Sequence, residues 1–202
     1  MIITTKLYRP VGLKEMELIL NADAKAFPPR LEWQPIFYPV MNFEYAAEIA
    51  TQWNTIDEAS GFCGIVTVFN LSTAYLQEFE VQNVGYTHHN ELWVPADQLA
   101  EFNSHIVGII RIDAIYYGAN YTGILESSAV FKHKTAKEQT AILNGLDSAG
   151  LLEVLTQERS ALIINFQYWL TNGLNRSTGE RIRQLMGNEI NNSTSFGEII
   201  PH

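Results

Sequence analysis

Three residues carry the chemistry that this sequence offers most plainly: Arg9, Tyr38 and Glu91. Arg9 closes an alternating stretch, residues 2 to 9, that reads as a strand. An arginine at a strand end can clamp a phosphate or a ribose through its planar fork of N–H donors. Glu91 opens the alternating run Glu91-Leu92-Trp93-Val94, where a strand carboxylate can steady a developing cation. Tyr38 lies in Gln34-Pro35-Ile36-Phe37-Tyr38-Pro39-Val40, whose prolines hold the chain extended and can present a ring to a ligand. Taken singly, Arg9 and Glu91 also have the look of ordinary surface charges, and Tyr38 that of an ordinary packing residue.

Other chemical readings are weaker. His88 and His89 are adjacent, and neighbouring strand residues point to opposite faces, so their rings are not expected to converge on a metal. No Cys or His pair has structural-zinc spacing, and the sequence predicts no metal site. Cys63, in Gly61-Phe62-Cys63-Gly64, reads as a buried, inert thiol. Gly61 and Gly64 lack the further glycine or the Gly-Lys-Ser/Thr that a nucleotide loop requires. The tryptophans, Trp33, Trp53, Trp93 and Trp169, read as core or core-edge residues.

The elements that must position these groups follow from periodicity. After the first strand, Leu13, Met16, Ile19 and Leu20 share one helical face, and Phe43, Ala46, Ala47, Ala50 and Trp53 form a second helical stripe capped by Asn42. Gly64 to Leu71 is a β-branched strand, Phe79 to Gln82 alternates, and Pro95 opens a short helix. Val107 to Ala114 alternates with Ile110, Ile112 and Ala114 on one side. From about Thr135 the period becomes helical, with Leu151, Leu155, Leu162, Ile163, Phe166, Trp169 and Leu170 apolar and with Gly145 and Gly150 as dividers. Ser177-Thr178-Gly179-Glu180 has capping-box spacing for a helix ending near Gly187, and Asn191 to Ser195 reads as a loop tail. The sum is an α+β protein with a mixed or antiparallel β-rich region, 1–122, and a helical extension, 123–202, that docks on it.

Composition limits the partners. The 202 residues are 47% hydrophobic and 17% charged, enough to bury a real core. A net charge of -9, from 22 acidic and 13 basic residues, opposes nucleic-acid binding. The opening residues lack the apolar run of a secretion signal, no stretch suits a membrane span, and the lone cysteine excludes an intrachain disulfide. A reducing, cytoplasmic setting is the expectation.

The stretches Leu7-Tyr8-Arg9-Pro10-Val11-Gly12, Ala26-Phe27-Pro28-Pro29-Arg30-Leu31, Gln34 to Val40, Glu91-Leu92-Trp93-Val94-Pro95-Ala96 and Ile106-Val107-Gly108 resemble a group of bacterial proteins, over the first three-fifths of the chain. That group in turn is similar to the ADP-ribosyltransferase toxins in its order of parts. The resemblance implies an ADP-ribosyltransferase-like fold and NAD as substrate. Arg9 matches the arginine that holds NAD, and Glu91 matches the glutamate that bonds the nicotinamide ribose and stabilises the oxocarbenium-like state. Tyr38 is then placed to stack on the nicotinamide. The activity implied is ADP-ribosyl transfer to a protein acceptor, or NAD hydrolysis as a glycohydrolase. Two departures bear on the acceptor: Phe37-Tyr38-Pro39 replaces the Ser-Thr-Ser element, and His89 replaces the glutamate or glutamine two positions before Glu91. They imply a different acceptor or a loss of transfer. The alternative is a noncatalytic acidic module that binds a protein partner or forms a homo-oligomer, in which case Arg9 and Glu91 lie far apart.

Overall fold

A computed structural model of the chain describes residues 2–194. Its centre is a three-stranded antiparallel sheet of β1 (Thr4–Val11), β3 (Cys63–Ser72) and β7 (Ile106–Tyr117), in the order β1-β3-β7. β3 is central because its apolar run is buried on both faces from Cys63 to Thr67, as a strand covered on both sides requires. Pro10 sits within β1, paired with Val66. Its missing N–H is harmless there: the amide two residues earlier, that of Tyr8, points away from β3 to Val40, so the proline falls on the outer edge.

Two short ladders continue from that edge. β2 (Ile36–Phe37) pairs with β6 (Val94–Pro95), and β4 (Val81–Asn83) pairs with β5 (Asn90–Leu92). Val40 joins them to the main sheet. Its N–H and C=O bond Tyr8 at 2.8 and 2.9 Å, and it also bridges Glu91. The segments carrying Arg9, Tyr38 and Glu91 therefore lie side by side.

α1 (Leu13–Asn21) buries Leu13, Met16, Ile19 and Leu20, the face read from the sequence. α2 (Phe43–Gln52) is capped by Asn42, whose side chain accepts from the Tyr45 amide at 2.8 Å. It buries Tyr45, Ala46 and Ala50, whereas Trp53, expected on that stripe, lies past the helix end and is exposed. α2 lies so close to β3 that a Cβ on Gly64 would stand 2.1 Å from the Ala50 carbonyl oxygen. α3 (Thr73–Leu76) and α4 (Leu99–Ser104) are short, and a 3-10 turn at Ala96–Gln98 precedes α4 as Pro95 suggests.

The helical region comprises α5 (Ala136–Asn144), α6 (Ser148–Gln157), α7 (Arg159–Thr171) and α8 (Arg176–Ser193). One apolar cluster runs from Leu7 of β1 to Ile190 of α8, so this region and the sheet share a core. The Tyr117 hydroxyl donates to the Ile164 carbonyl at 2.6 Å, and buried Gln139, Asn165 and Trp169 hydrogen-bond one another beneath Tyr121. The boundary at 122/123 falls inside a stretch, residues 118–135, without helix or strand. Such backbone must find side-chain acceptors. Buried Glu17 accepts from the Ser127 amide at 2.9 Å, and buried Glu158 accepts from the Ala129 amide at 2.8 Å.

Several expectations need correction. Ala114 does not share a side with Ile110 and Ile112: the β3–β7 register skips from Ala114 to Ile112 across Asp113, and this bulge turns Ala114 to the α2 face. Gly145 ends α5, but Gly150 lies within the first turn of α6, where Asp147 is the cap. The capping box belongs to Thr135 and Glu138, whereas Asn175 precedes α8, leaving Ser177 inside it. Helix α8 runs through Ser193, so Asn191 to Ser193 are not loop, and Thr194 bridges Ile112; Ser195 lies outside the described residues. No helix among the described residues is long and apolar enough to cross a membrane.

Candidate functional site

Beside the outer edge of β1 is a cavity of about 600 Å³ lined by Arg9, Arg30, Trp33, Tyr38, Val40, Glu91 and Trp93, among others. That volume suits a small molecule. The alternative with Arg9 and Glu91 on separate surfaces does not describe this arrangement. Residues 82 positions apart in the chain line one hollow, their strands brought together by Val40, which pairs with both.

Arg9 faces inward between Leu7 and Val11 and is 7% exposed. A guanidinium so placed needs compensation, since an unpaired buried charge is costly. Glu15, in the first turn of α1, supplies it with Oε1 at 2.8 Å from Arg9 Nε and Oε2 at 3.2 Å from Nη2. Arg9 Nη1 also donates to the Tyr38 carbonyl at 3.2 Å, and the guanidinium lies 4.5 Å over the Phe37 ring. Arg9 thus ties β1, α1 and the Tyr38 segment together, with part of its donor set already in use.

Arg30 is the second cation. Its Nη1 lies 3.9 Å from the same Glu15 Oε2, and its Nε is buried with no hydrogen-bond partner among the described residues. Burial, followed by the charge of Arg9, pulls the Arg30 guanidinium below its ordinary value, while Glu15 opposes this. Two guanidinium groups sharing one carboxylate leave net positive charge on this wall, where an anion can be received.

Glu91 is 8% exposed and lines the same cavity. Its Oε1 accepts from Trp93 Nε1 at 2.7 Å and its Oε2 from the Tyr45 hydroxyl at 3.3 Å. Among the described residues it has no ion-pair partner. A buried carboxylate held by two neutral donors is poised to meet a cation that arrives from elsewhere. Burial and the Glu91 charge push the Tyr45 hydroxyl up to about 12, so it stays a donor at neutral pH. Tyr38 is 39% exposed and meets Trp93 edge to face at 6.3 Å; with Trp33, which is 76% exposed, these rings give the rim flat apolar surfaces.

Comparison of the chain with protein-family models, with curated proteins and with solved structures finds no match. The arrangement must therefore be read from its own residues.

Reasoning from the sequence missed Glu15, the site role of Arg30, and Tyr45. A signal for Glu15 was available: a strand-end arginine followed, past a turn, by an acidic residue in the next helix's first turn. Tyr45 gave no such signal, because it falls outside the apolar stripe read for α2, although the helix buries it. The expectation that the two histidine rings diverge is overturned. His88 lies in a turn and His89 between that turn and β5, so the strand rule does not apply, and both Nε2 atoms reach Glu48 Oε2, at 3.2 and 2.9 Å. Cys63 is fully buried, and that burial pushes its thiol well up.

Proposed function

We propose that the cavity binds NAD and breaks its nicotinamide–ribose bond, passing ADP-ribose to a protein acceptor or to water. The observation that carries this reading is a cavity lined both by the paired guanidinium groups of Arg9 and Arg30 and by the buried carboxylate of Glu91, which has no ion-pair partner among the described residues. Loss of nicotinamide develops positive charge on the ribose, which a fixed carboxylate stabilises more in the transition state than in the ground state. Trp93 and Tyr45 aim Glu91 and prepay its orientation. The pyrophosphate is met by the arginine wall. Tyr38 and Trp93 offer faces for the nicotinamide ring.

The resemblance to ADP-ribosyltransferases supports the same reading, and an ADP-ribosyltransferase-like fold is part of the proposal. A cytoplasmic, reducing location accords with the single thiol. His89, committed to Glu48, is not free to activate an acceptor, which favours water or an acceptor that brings its own nucleophile.

Calorimetric titration with NAD and chromatographic assay of nicotinamide release test this. In Glu91→Gln the amide oxygen can still accept from Trp93 Nε1 while the amide nitrogen donates to the Tyr45 hydroxyl oxygen, so NAD affinity should stay within a few-fold while nicotinamide release falls about 100-fold or more. Arg30→Ala should weaken NAD binding about tenfold or more. Absence of binding at about 1 mM NAD, an affinity of only about 4 kcal/mol, overturns the proposal.

A further inference from the structure

We propose that Glu48, His88 and His89 form a site for one divalent transition-metal ion of the zinc class. The three donor atoms lie within 4.8 Å of one another. Glu48 Oε2 stands 3.2 Å from His88 Nε2 and 2.9 Å from His89 Nε2. Neighbouring ligands of a tetrahedral zinc, bonded at about 2.0–2.2 Å, are separated by roughly 3.4 Å, so each histidine–carboxylate pair already has nearly the spacing of a coordination shell. Two imidazoles and one carboxylate suit such an ion better than the hard calcium or magnesium ions. Side-chain exposure of 43% for His88, 23% for Glu48 and 12% for His89 leaves an open approach, with room for water as a further ligand.

The rings are held where they are, as metal ligands usually are by their surroundings. His89 stacks on Tyr45 with centroids 4.3 Å apart and meets the edge of Tyr86 at 5.1 Å. Gly85 makes room for it: a Cβ there would lie 2.8 Å from His89 Nδ1. The His88 carbonyl accepts from Asn42 Nδ2 at 2.6 Å, which fastens the turn to the start of α2, the helix that carries Glu48. Without a cation, both imidazoles direct Nε2 at a single carboxylate oxygen. A metal ion placed among the three donors would bridge them all. Its structural effect is to pin the turn that leads into β5 two residues before Glu91. The site stands independently of the NAD reading, since it involves neither guanidinium group and is read out without any reaction.

The test uses the full chain freed of metal by a chelator and dialysis. Titration with Co2+ alone is followed by its visible ligand-field bands, and titration with Zn2+ by calorimetry. One ion per chain is expected, with a dissociation constant of about 10 μM or tighter and a rise in melting temperature. His89→Ala and Glu48→Gln should each weaken binding about 100-fold, and exposed His88→Ala, least able to disturb folding, by at least about tenfold. His133→Asn, at an exposed histidine away from the cluster, should bind as the parent does. No saturable binding up to about 1 mM Zn2+, or binding unaltered in His88→Ala and Glu48→Gln, overturns the assignment.

Discussion

Replacing Glu15 by glutamine tests the electrostatic logic of the cavity most directly. The carboxylate holds Arg9 through contacts of 2.8 and 3.2 Å and attracts Arg30 from 3.9 Å, and the three side chains are 22%, 8% and 11% exposed respectively. Glutamine keeps one acceptor oxygen but turns an amide donor toward the cations and leaves two neighbouring guanidinium groups uncompensated. Breaking a buried ion pair by removing one partner costs about 3–5 kcal/mol, and the partial exposure of Glu15 places this case near the lower end, about 3 kcal/mol. For a chain of this size that corresponds to a fall in melting temperature of about 6–12 °C, measurable by circular dichroism. Arg9→Met in the same background should recover part of the loss, leaving the double variant about 2 kcal/mol better than the sum of the single variants. Added sulfate or phosphate should raise the melting temperature of Glu15→Gln more than that of the parent, because an anion can replace the missing charge. A fall of less than about 2 °C, or additivity of the two substitutions, would refute the claim that Glu15 neutralises the arginine wall.

Further outcomes test the packing away from the cavity. Burial pushes the Cys63 thiol above its ordinary value, so at pH 8.5 a disulfide reagent such as Ellman's should label the unfolded chain and leave the native chain unlabelled for hours. The sign of the linked pH effect follows: the folded thiol keeps its proton where the unfolded one loses it, so stability from this group is intact below about pH 9 and declines as pH rises further, as urea midpoints across that range would show. Gly64→Ala should cost about 3 kcal/mol, since its Cβ would meet the Ala50 carbonyl at 2.1 Å. Gly187→Ala, in α8 with nothing within 4 Å of the added carbon, should stabilise by up to about 1 kcal/mol in the same denaturation assay.

What was legible in the sequence is local. Apolar spacing alone located α1, since the positions one helical turn apart are those its core face requires. Asn42 announced the start of α2, and the β-branched run from Gly64 to Leu71 marked β3 as a strand. Arg9, Tyr38 and Glu91 were singled out by residue type, strand position and resemblance. The pattern could not reveal how strands pair across long loops. Val40 contacting both Tyr8 and Glu91, the sharing of Glu15 by two arginines, and the bulge that turns Ala114 over are products of register, and no local period encodes register. The meeting of His88 and His89 at Glu48 belongs to the same class, because a turn suspends the alternation on which the strand reading depended. Sequence determined where the longer elements form and, where no bulge or helix end intervenes, which faces they bury. Tertiary structure decided which charges meet, since that depends on contacts between residues far apart in the chain.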